Sequence, residues 1–227
     1  MKKGRLYGIS VGPGDPELMT LKAVRMIRRA DVIAFPGKEK ETCTAYQIAR
    51  QTVPEIEEKE CLPIPMPMTK DKERLEKSHR EGAEKLLACL KDGKDVAFLT
   101  LGDVTIYSTG WYLYHLVREA GGTGELISGV PSFCAAAARL ERALVSGEEA
   151  LHVLPASYPV EGGLELTGVK VLMKAGKKIG DVKEALIAHG LTACGVQRCG
   201  MEGETVYRTV EEIEEDAGYY SLFIVDP

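Results

Sequence analysis

Residues 6–37 read LYGISVGPGDPELMTLKAVRMIRRADVIAFPG, and this stretch decides the fold class. Leu6 to Val11 is apolar enough for a short buried strand, and Gly12-Pro13-Gly14 ends it. Asp15 and Pro16 then supply a helix start: a side-chain acceptor at the N-cap, and a ring that presets φ at the first helical position. Ala23, Met26, Ile27 and Ala30 recur at intervals of three and four, which predicts one buried stripe. Asp31 closes the helix, Val32 to Phe35 forms a second strand, and Pro36-Gly37 stops it. Strand, turn, helix and strand make the unit from which parallel sheets are built.

The alternation continues outward. Thr42 to Gln51 suits a helix, whereas the prolines of LPIPMPM (62–68) exclude one there. Lys70 to Lys91 predicts a long charged helix, Val96 to Leu101 the most apolar strand, Ile106 to Ala120 a helix and Glu125 to Ser128 a strand. After that the pattern changes. Cys134 to Arg139 holds an alanine run suited to a closely packed helix. Strands are predicted at Leu151 to Leu154, Lys170 to Lys174, Ala193 to Arg198, Glu204 to Thr209 and Tyr220 to Val225, with one clear helix, Asp181 to His189, among them. Strands that follow one another directly imply a mixed sheet. The expected architecture is two α/β domains, residues 1–130 with a mainly parallel sheet and residues 131–227 with a mixed one.

The charge balance narrows the partners. Twenty-nine basic against thirty-four acidic residues give a net charge of −5. Nucleic-acid binding is therefore not expected, because counterion release needs a basic footprint. The six cysteines, at 43, 61, 89, 134, 194 and 199, form no CxxC pair and have no histidine at ligand spacing. No protein-bound metal is expected, and scattered thiols suit a reducing compartment. MKKGRLYGIS has no apolar stretch after its lysines, and no apolar run approaches membrane-spanning length, so the chain reads as cytoplasmic.

Four stretches hold the chemistry. A glycine-rich turn between a first strand and a helix is a general nucleotide-binding setting, since backbone N–H groups face the ligand. The spacing is not that of a phosphate cradle: Asp15 follows Gly14 where a Walker loop has lysine, and Pro13 and Pro16 interrupt a GxGxxG pattern. LTLGDVTIYSTG (99–110) lies at the carboxyl edge of the most apolar strand, where ligands of open α/β sheets bind. Asp103, preceded by Gly102, suits a ribose hydroxyl or an amine there, or else caps the helix that contains Tyr107. SGVPSFCAAAARL (128–140) allows close approach of a helix or ligand. VLMKAGKKIGDV (171–182) contains Met173 in an apolar strand, a setting that by itself reads as core.

Taken in order, SVGPGDPELMTLKA, LGDVTIYST, GVPSFCAAAARL, VLMKAG and VQRCGMEGETV resemble the signatures of the tetrapyrrole methyltransferases over essentially the whole chain. One departure is Val104, where the family usually has proline after the aspartate. TLGDVTIYST together with SFCAAAARL most resembles the branch that methylates carbon 20 of precorrin-2 or cobalt-factor II in cobalamin and porphyrin biosynthesis. The resemblance implies a ligand cleft between the two domains, S-adenosyl-L-methionine as methyl donor, a small-molecule tetrapyrrole substrate and a homodimer. Cofactor contacts carried over position by position are Pro13, Leu101, Gly102, Asp103, Ile106, Pro131, Ser132, Met173 and Gly200. Asp103→Ala is expected to abolish cofactor binding and leave the fold intact.

No catalytic base stands out. Tyr107, Tyr112 and Glu204 are the candidates, and the four histidines (79, 115, 152, 189) lack any partner pattern. Met66 and Met68 suit either a wall of the substrate trough or a linker. Rival functions are methylation at another macrocycle position, diphthine synthesis on the same fold, and a non-catalytic nucleotide-binding module. The alanine-rich stretch after Gly129 favours the corrin branch.

Overall fold

The computed structural model describes residues 3–67, 69, 71–214 and 217–227. Met68, suggested for a substrate wall, and Lys70, expected to open the long helix, lie outside them. The contacts divide the chain into one unit ending at Pro131 and another beginning at Ser132.

The first unit is built on five parallel strands: β1 (Arg5–Ser10), β2 (Val32–Pro36), β3 (Glu60–Ile64), β4 (Val96–Thr100) and β5 (Thr123–Ile127), in the order β3-β2-β4-β1-β5. Four helices connect them: α1 (Leu21–Arg29), α2 (Thr44–Thr52), α3 (Lys72–Lys91) and α4 (Thr109–Glu119). Leu6, Val32, Ala34, Val96 and Phe98 form one core with Ala83, Leu86 and Leu90 of α3 and Leu113 and Val117 of α4. Helices on the faces of a parallel sheet bury both sides of its strands, which explains the uninterrupted apolar runs of β2 and β4.

Three local departures from the sequence reading have physical causes. Asp15 does cap a turn, its Oδ1 accepting from Glu17 N at 2.8 Å, but that turn is a three-residue 3-10 segment, Pro16–Leu18. The α-helix itself begins later, with Thr20 Oγ1 accepting from Ala23 N at 3.1 Å. The helix expected from Ile106 begins instead at Thr109, because Tyr107 takes left-handed backbone (φ 47°) and Ser108 caps the first turn. The proline-rich stretch supplies a strand, β3, that the sequence reading did not contain. Pro63 fits there because β3 is an edge strand, where a missing N–H costs no ladder bond.

The second unit holds β6 (Leu151–Pro155), β7 (Val169–Met173), β8 (Ala193–Gln197), β9 (Thr205–Tyr207) and β10 (Ser221–Val225), ordered β6-β7-β10-β8-β9. β6 and β7 are parallel, and the other pairings are antiparallel. Leu172, Ala193, Phe223 and Val225 pack with Val182 and Leu186 of α7 (Ile179–Ala188) and Leu164 of the short α6 (Glu161–Leu164). The alanine run forms α5 (Ser132–Arg139), which lies against β8 and β10 with Phe133, Ala135, Ala136 and Ala137 buried. The molecule is thus α/β throughout, with one parallel and one mixed sheet.

Candidate functional site

In the first unit, β1 and β4 are neighbours at the middle of the sheet, so the loops leaving their carboxyl ends meet. The pairing continues past the strands. Val11 N donates to Thr100 O at 2.9 Å, and Gly12 and Gly102 exchange backbone hydrogen bonds at 3.3 and 2.7 Å. Ser10 is fully buried, and its hydroxyl accepts from Val104 N at 2.9 Å. The first loop and the aspartate loop are therefore one structure, tied by three backbone hydrogen bonds and by the Ser10 hydroxyl.

Asp103 extends the tie to a third loop. It is 7% exposed. Its Oδ1 accepts from Thr105 N at 2.7 Å and from the Thr105 hydroxyl at 2.6 Å, and its Oδ2 accepts from Gly129 N at 2.8 Å. The carboxylate thus shapes its own turn and pins the segment after β5, and it does not cap α4. Gly129 is required for this closure, because a Cβ there would sit 2.5 Å from Ser10 Cβ and 3.0 Å from Gly102 O. Gly102 is the opposite case. It is buried and left-handed (φ 72°), yet a methyl group built on it would meet no atom within 4 Å. A bare backbone beside open space, at the carboxyl edge of a parallel sheet, is where a flat ligand can approach the main chain.

The expected contact residues fall into two sets. Pro13, Leu101, Gly102, Asp103 and Ile106 are gathered on these loops; Pro13, Gly102 and Asp103 are buried, Leu101 and Ile106 half-buried. Pro131 ends the same unit, and Ser132 opens α5. Met173 is the last residue of β7 and Gly200 lies beyond β8, and the carboxyl ends of these two strands share one edge of the second sheet because each runs antiparallel to β10 between them. Met173 is 8% exposed. Gly200 is left-handed (φ 73°), and its N–H donates to Glu204 Oε2 at 2.7 Å. Sequence reading did not single out Ser10 or Gly129 within its motifs. A serine ending an apolar strand was the available signal, but its partner lies 94 residues away.

The candidate bases have other engagements. Burial opposes the charged form of Glu204, but the Gly200 N–H and the Arg139 guanidinium outweigh it and hold the carboxyl below its ordinary range. Tyr112 stacks on His79 with ring centroids 5.0 Å apart, on the surface made by α3 and α4. Tyr107 is a left-handed loop residue, 45% exposed. At the other end of the second sheet from Met173, a cavity of about 430 Å³ is lined by Arg142, Cys194, Arg208 and Asp226. There Arg142 already pairs with Asp226 at 2.7 Å and reaches Cys194 Sγ at 3.4 Å. Among the described residues, no group of three or more His, Cys, Asp or Glu side chains is placed to hold a metal ion. No described helix is long and apolar enough to cross a membrane.

Comparison with known proteins gives this geometry a family context. Residues 5–214 match the family model of the Tetrapyrrole (Corrin/Porphyrin) Methylases. The chain is 37% identical over 171 residues to a protein named "Probable cobalt-precorrin-2 C(20)-methyltransferase" from Methanocaldococcus jannaschii, covering 75% of this chain and 72% of that one. It is 31% identical over 231 residues to the cobalt-precorrin-2 C(20)-methyltransferase of Salmonella typhimurium, covering 98% and 96%. Among solved structures, the uroporphyrin-III C-methyl transferase of Thermus thermophilus complexed with S-adenyl homocysteine superposes with a TM-score of 0.72. That likeness covers 98% of this chain and 97% of that one at 21% identity, and at that identity it speaks to the fold alone.

Proposed function

Because this chain belongs to the tetrapyrrole (corrin/porphyrin) methylases, we propose that it is an S-adenosylmethionine-dependent C-methyltransferase acting on carbon 20 of precorrin-2 or cobalt-factor II. The observation that carries the position of methylation is identity of 31% along nearly the full length of a C(20)-methyltransferase. The five ordered motifs support it, since each includes residues at the carboxyl end of a strand or in the segment that follows one.

S-adenosylmethionine, when bound, supplies a methyl group already activated on a sulfonium. What remains for the chain is to bind, orient and keep out water. Gly102 fits the donor's approach because its backbone borders open space. Asp103 holds Thr105 and Gly129 in register through its two oxygens, so that it acts as much on the loop as on any ligand hydroxyl. The proposed contacts are Pro13, Leu101, Gly102, Asp103, Ile106 and Pro131 in the first unit and Ser132, Met173 and Gly200 in the second. Fixing both reactants in line can supply about 7–11 kcal/mol of the barrier. The wider reading is of two domains, 1–130 and 131–227, forming a homodimer in the cytoplasm with no resident metal, working in cobalamin and porphyrin biosynthesis.

The test is methyl transfer from a radiolabelled donor to precorrin-2 and to cobalt-factor II, with the methylated carbon mapped by NMR. Label at carbon 20 is expected. Label at another meso or pyrrole carbon, with none at carbon 20, refutes the assignment.

A further inference from the structure

Ser10, the last residue of β1, is fully buried and stands where three loops of the first unit meet. Its Oγ accepts from Val104 N at 2.9 Å. On the other side its Cβ abuts Gly129, where an added methyl group would come within 2.5 Å of it. Gly129 in turn donates its N–H to Asp103 Oδ2 at 2.8 Å. Ser10, Val104, Asp103 and Gly129 therefore close a ring, and one side chain of β1 touches both ends of the span that the aspartate bridges.

Asp103 is held differently on its two sides. Before it, Gly102 exchanges backbone hydrogen bonds with Gly12 at 2.7 and 3.3 Å, and these need no particular side chain. After it, the tie to β1 runs through Val104. That residue gives its N–H to Ser10 and packs its side chain over the bare backbone of Gly8, where a Cβ would lie 3.4 Å from Val104 Cγ2. Val104 is itself fully buried, so its N–H has no ready exchange with water if the serine oxygen is removed. The aim of a carboxylate depends on the backbone on both sides of it, and here the second side is set by a hydroxyl.

We propose that Ser10 is a positioning residue for the methyl donor: acting through the Val104 N–H, its hydroxyl aims the Asp103 carboxylate and keeps the Gly102 backbone turned toward open space. This rests on the reading above that Gly102 and Asp103 contact S-adenosylmethionine. Ser10 touches no reactant in this role. The role places a requirement on position 104, where the residue must carry an N–H. Proline has none, and its ring carbon would sit where the amide hydrogen now points, against the Ser10 oxygen. The serine and the N–H opposite it thus work as a matched pair, and a change at either one is felt through the other.

Ser10→Ala, Val104→Pro and the double variant separate this role from a contribution to stability alone, when all are measured well below their unfolding temperatures. Ser10→Ala is expected to weaken S-adenosylhomocysteine about tenfold in calorimetry. At saturating donor its kcat should fall by about 10–10²-fold, while KM for the macrocycle stays within about twofold of the parent. A loss of stability alone moves none of these in a variant that is still folded. Val104→Pro is expected to weaken S-adenosylhomocysteine by about 10²-fold in the parent and by less than about tenfold in the Ser10→Ala background, because the oxygen that the ring meets is gone there. Equal effects of Val104→Pro in the two backgrounds overturn the proposal alone. So does Ser10→Ala with ligand affinity and kcat within about twofold of the parent, and this variant decides the matter if Val104→Pro does not fold. Failure of the unaltered protein to bind S-adenosylhomocysteine overturns the reading of the site and this proposal with it.

Discussion

Asp103 shows how one side chain can serve a fold and a ligand together. Its oxygens accept from Thr105 N, the Thr105 hydroxyl and Gly129 N, so the expectation that alanine there spares the fold needs revision. Removing a buried acceptor strands those donors, at about 1–3 kcal/mol each where water cannot reach. Asp103→Ala is expected to lower stability by about 1–3 kcal/mol in urea unfolding and also to abolish S-adenosylhomocysteine binding in calorimetry. Unchanged stability would place the aspartate outside the loop scaffold. Thr100 is the contrasting residue. Its hydroxyl is buried without a partner among the described residues, and a Cβ on Gly110 of α4 would come within 2.7 Å of it. Thr100→Val keeps the shape and removes an unpaired polar atom, so stability should be unchanged or higher by up to about 1 kcal/mol. A loss of stability in the same unfolding assay would reveal a partner for the hydroxyl. Neither residue's role was legible in sequence: Asp103 finds Gly129 only because β5 lies beside β1, a neighbourhood set by the whole sheet.

Among the elements, those with long unbroken signals were the legible ones. β2 and β4 are apolar from end to end because both faces are covered, and the stripe of α1 buries Ala23, Met26 and Ile27 as its spacing predicts. β3 was hidden by its prolines, and the start of α4 by a left-handed tyrosine whose conformation has no compositional signal. The carboxylate that joins α5 to the β8–β9 turn was seen only as a base candidate. Glu204 receives the Arg139 guanidinium from α5 and the Gly200 N–H from the turn, and these outweigh burial to depress its carboxyl. A depressed carboxyl stabilises the fold fully above the unfolded value of about 4.3, and the contribution disappears as pH falls through the lower folded value. The acid side of the stability profile should therefore be steeper in the parent than in Glu204→Gln. The variant should lose about 0.5–1 kcal/mol at pH 7 and nearly nothing at pH 2. Parallel stability curves for the two proteins from pH 7 to pH 2 would show that Glu204 is not held charged by the fold.

For the whole molecule, composition and local placement pull in opposite directions. The net charge of −5 should repel a substrate rich in carboxylates, whereas the edge beside Met173 presents Lys174 and Arg198. Screening decides between them. At about 0.1 M salt the Debye length is about 10 Å, so charges spread over the far surface are already muted at a binding edge while those in contact are not. Local cations should therefore govern, and added salt should weaken substrate binding. Between about 0.05 and about 0.3 M salt, KM for the macrocycle is expected to rise several-fold. If S-adenosylhomocysteine binds as proposed, by backbone contact at Gly102 and by packing, its affinity is expected to change little over the same range. Arg198→Gln is the informative variant, since it removes one of the two basic side chains at this edge. Its KM should be higher at low salt and less sensitive to salt, with kcat retained. If KM in the parent falls as salt is added, net repulsion outweighs the rim, and the substrate carboxylates must be met elsewhere on the molecule.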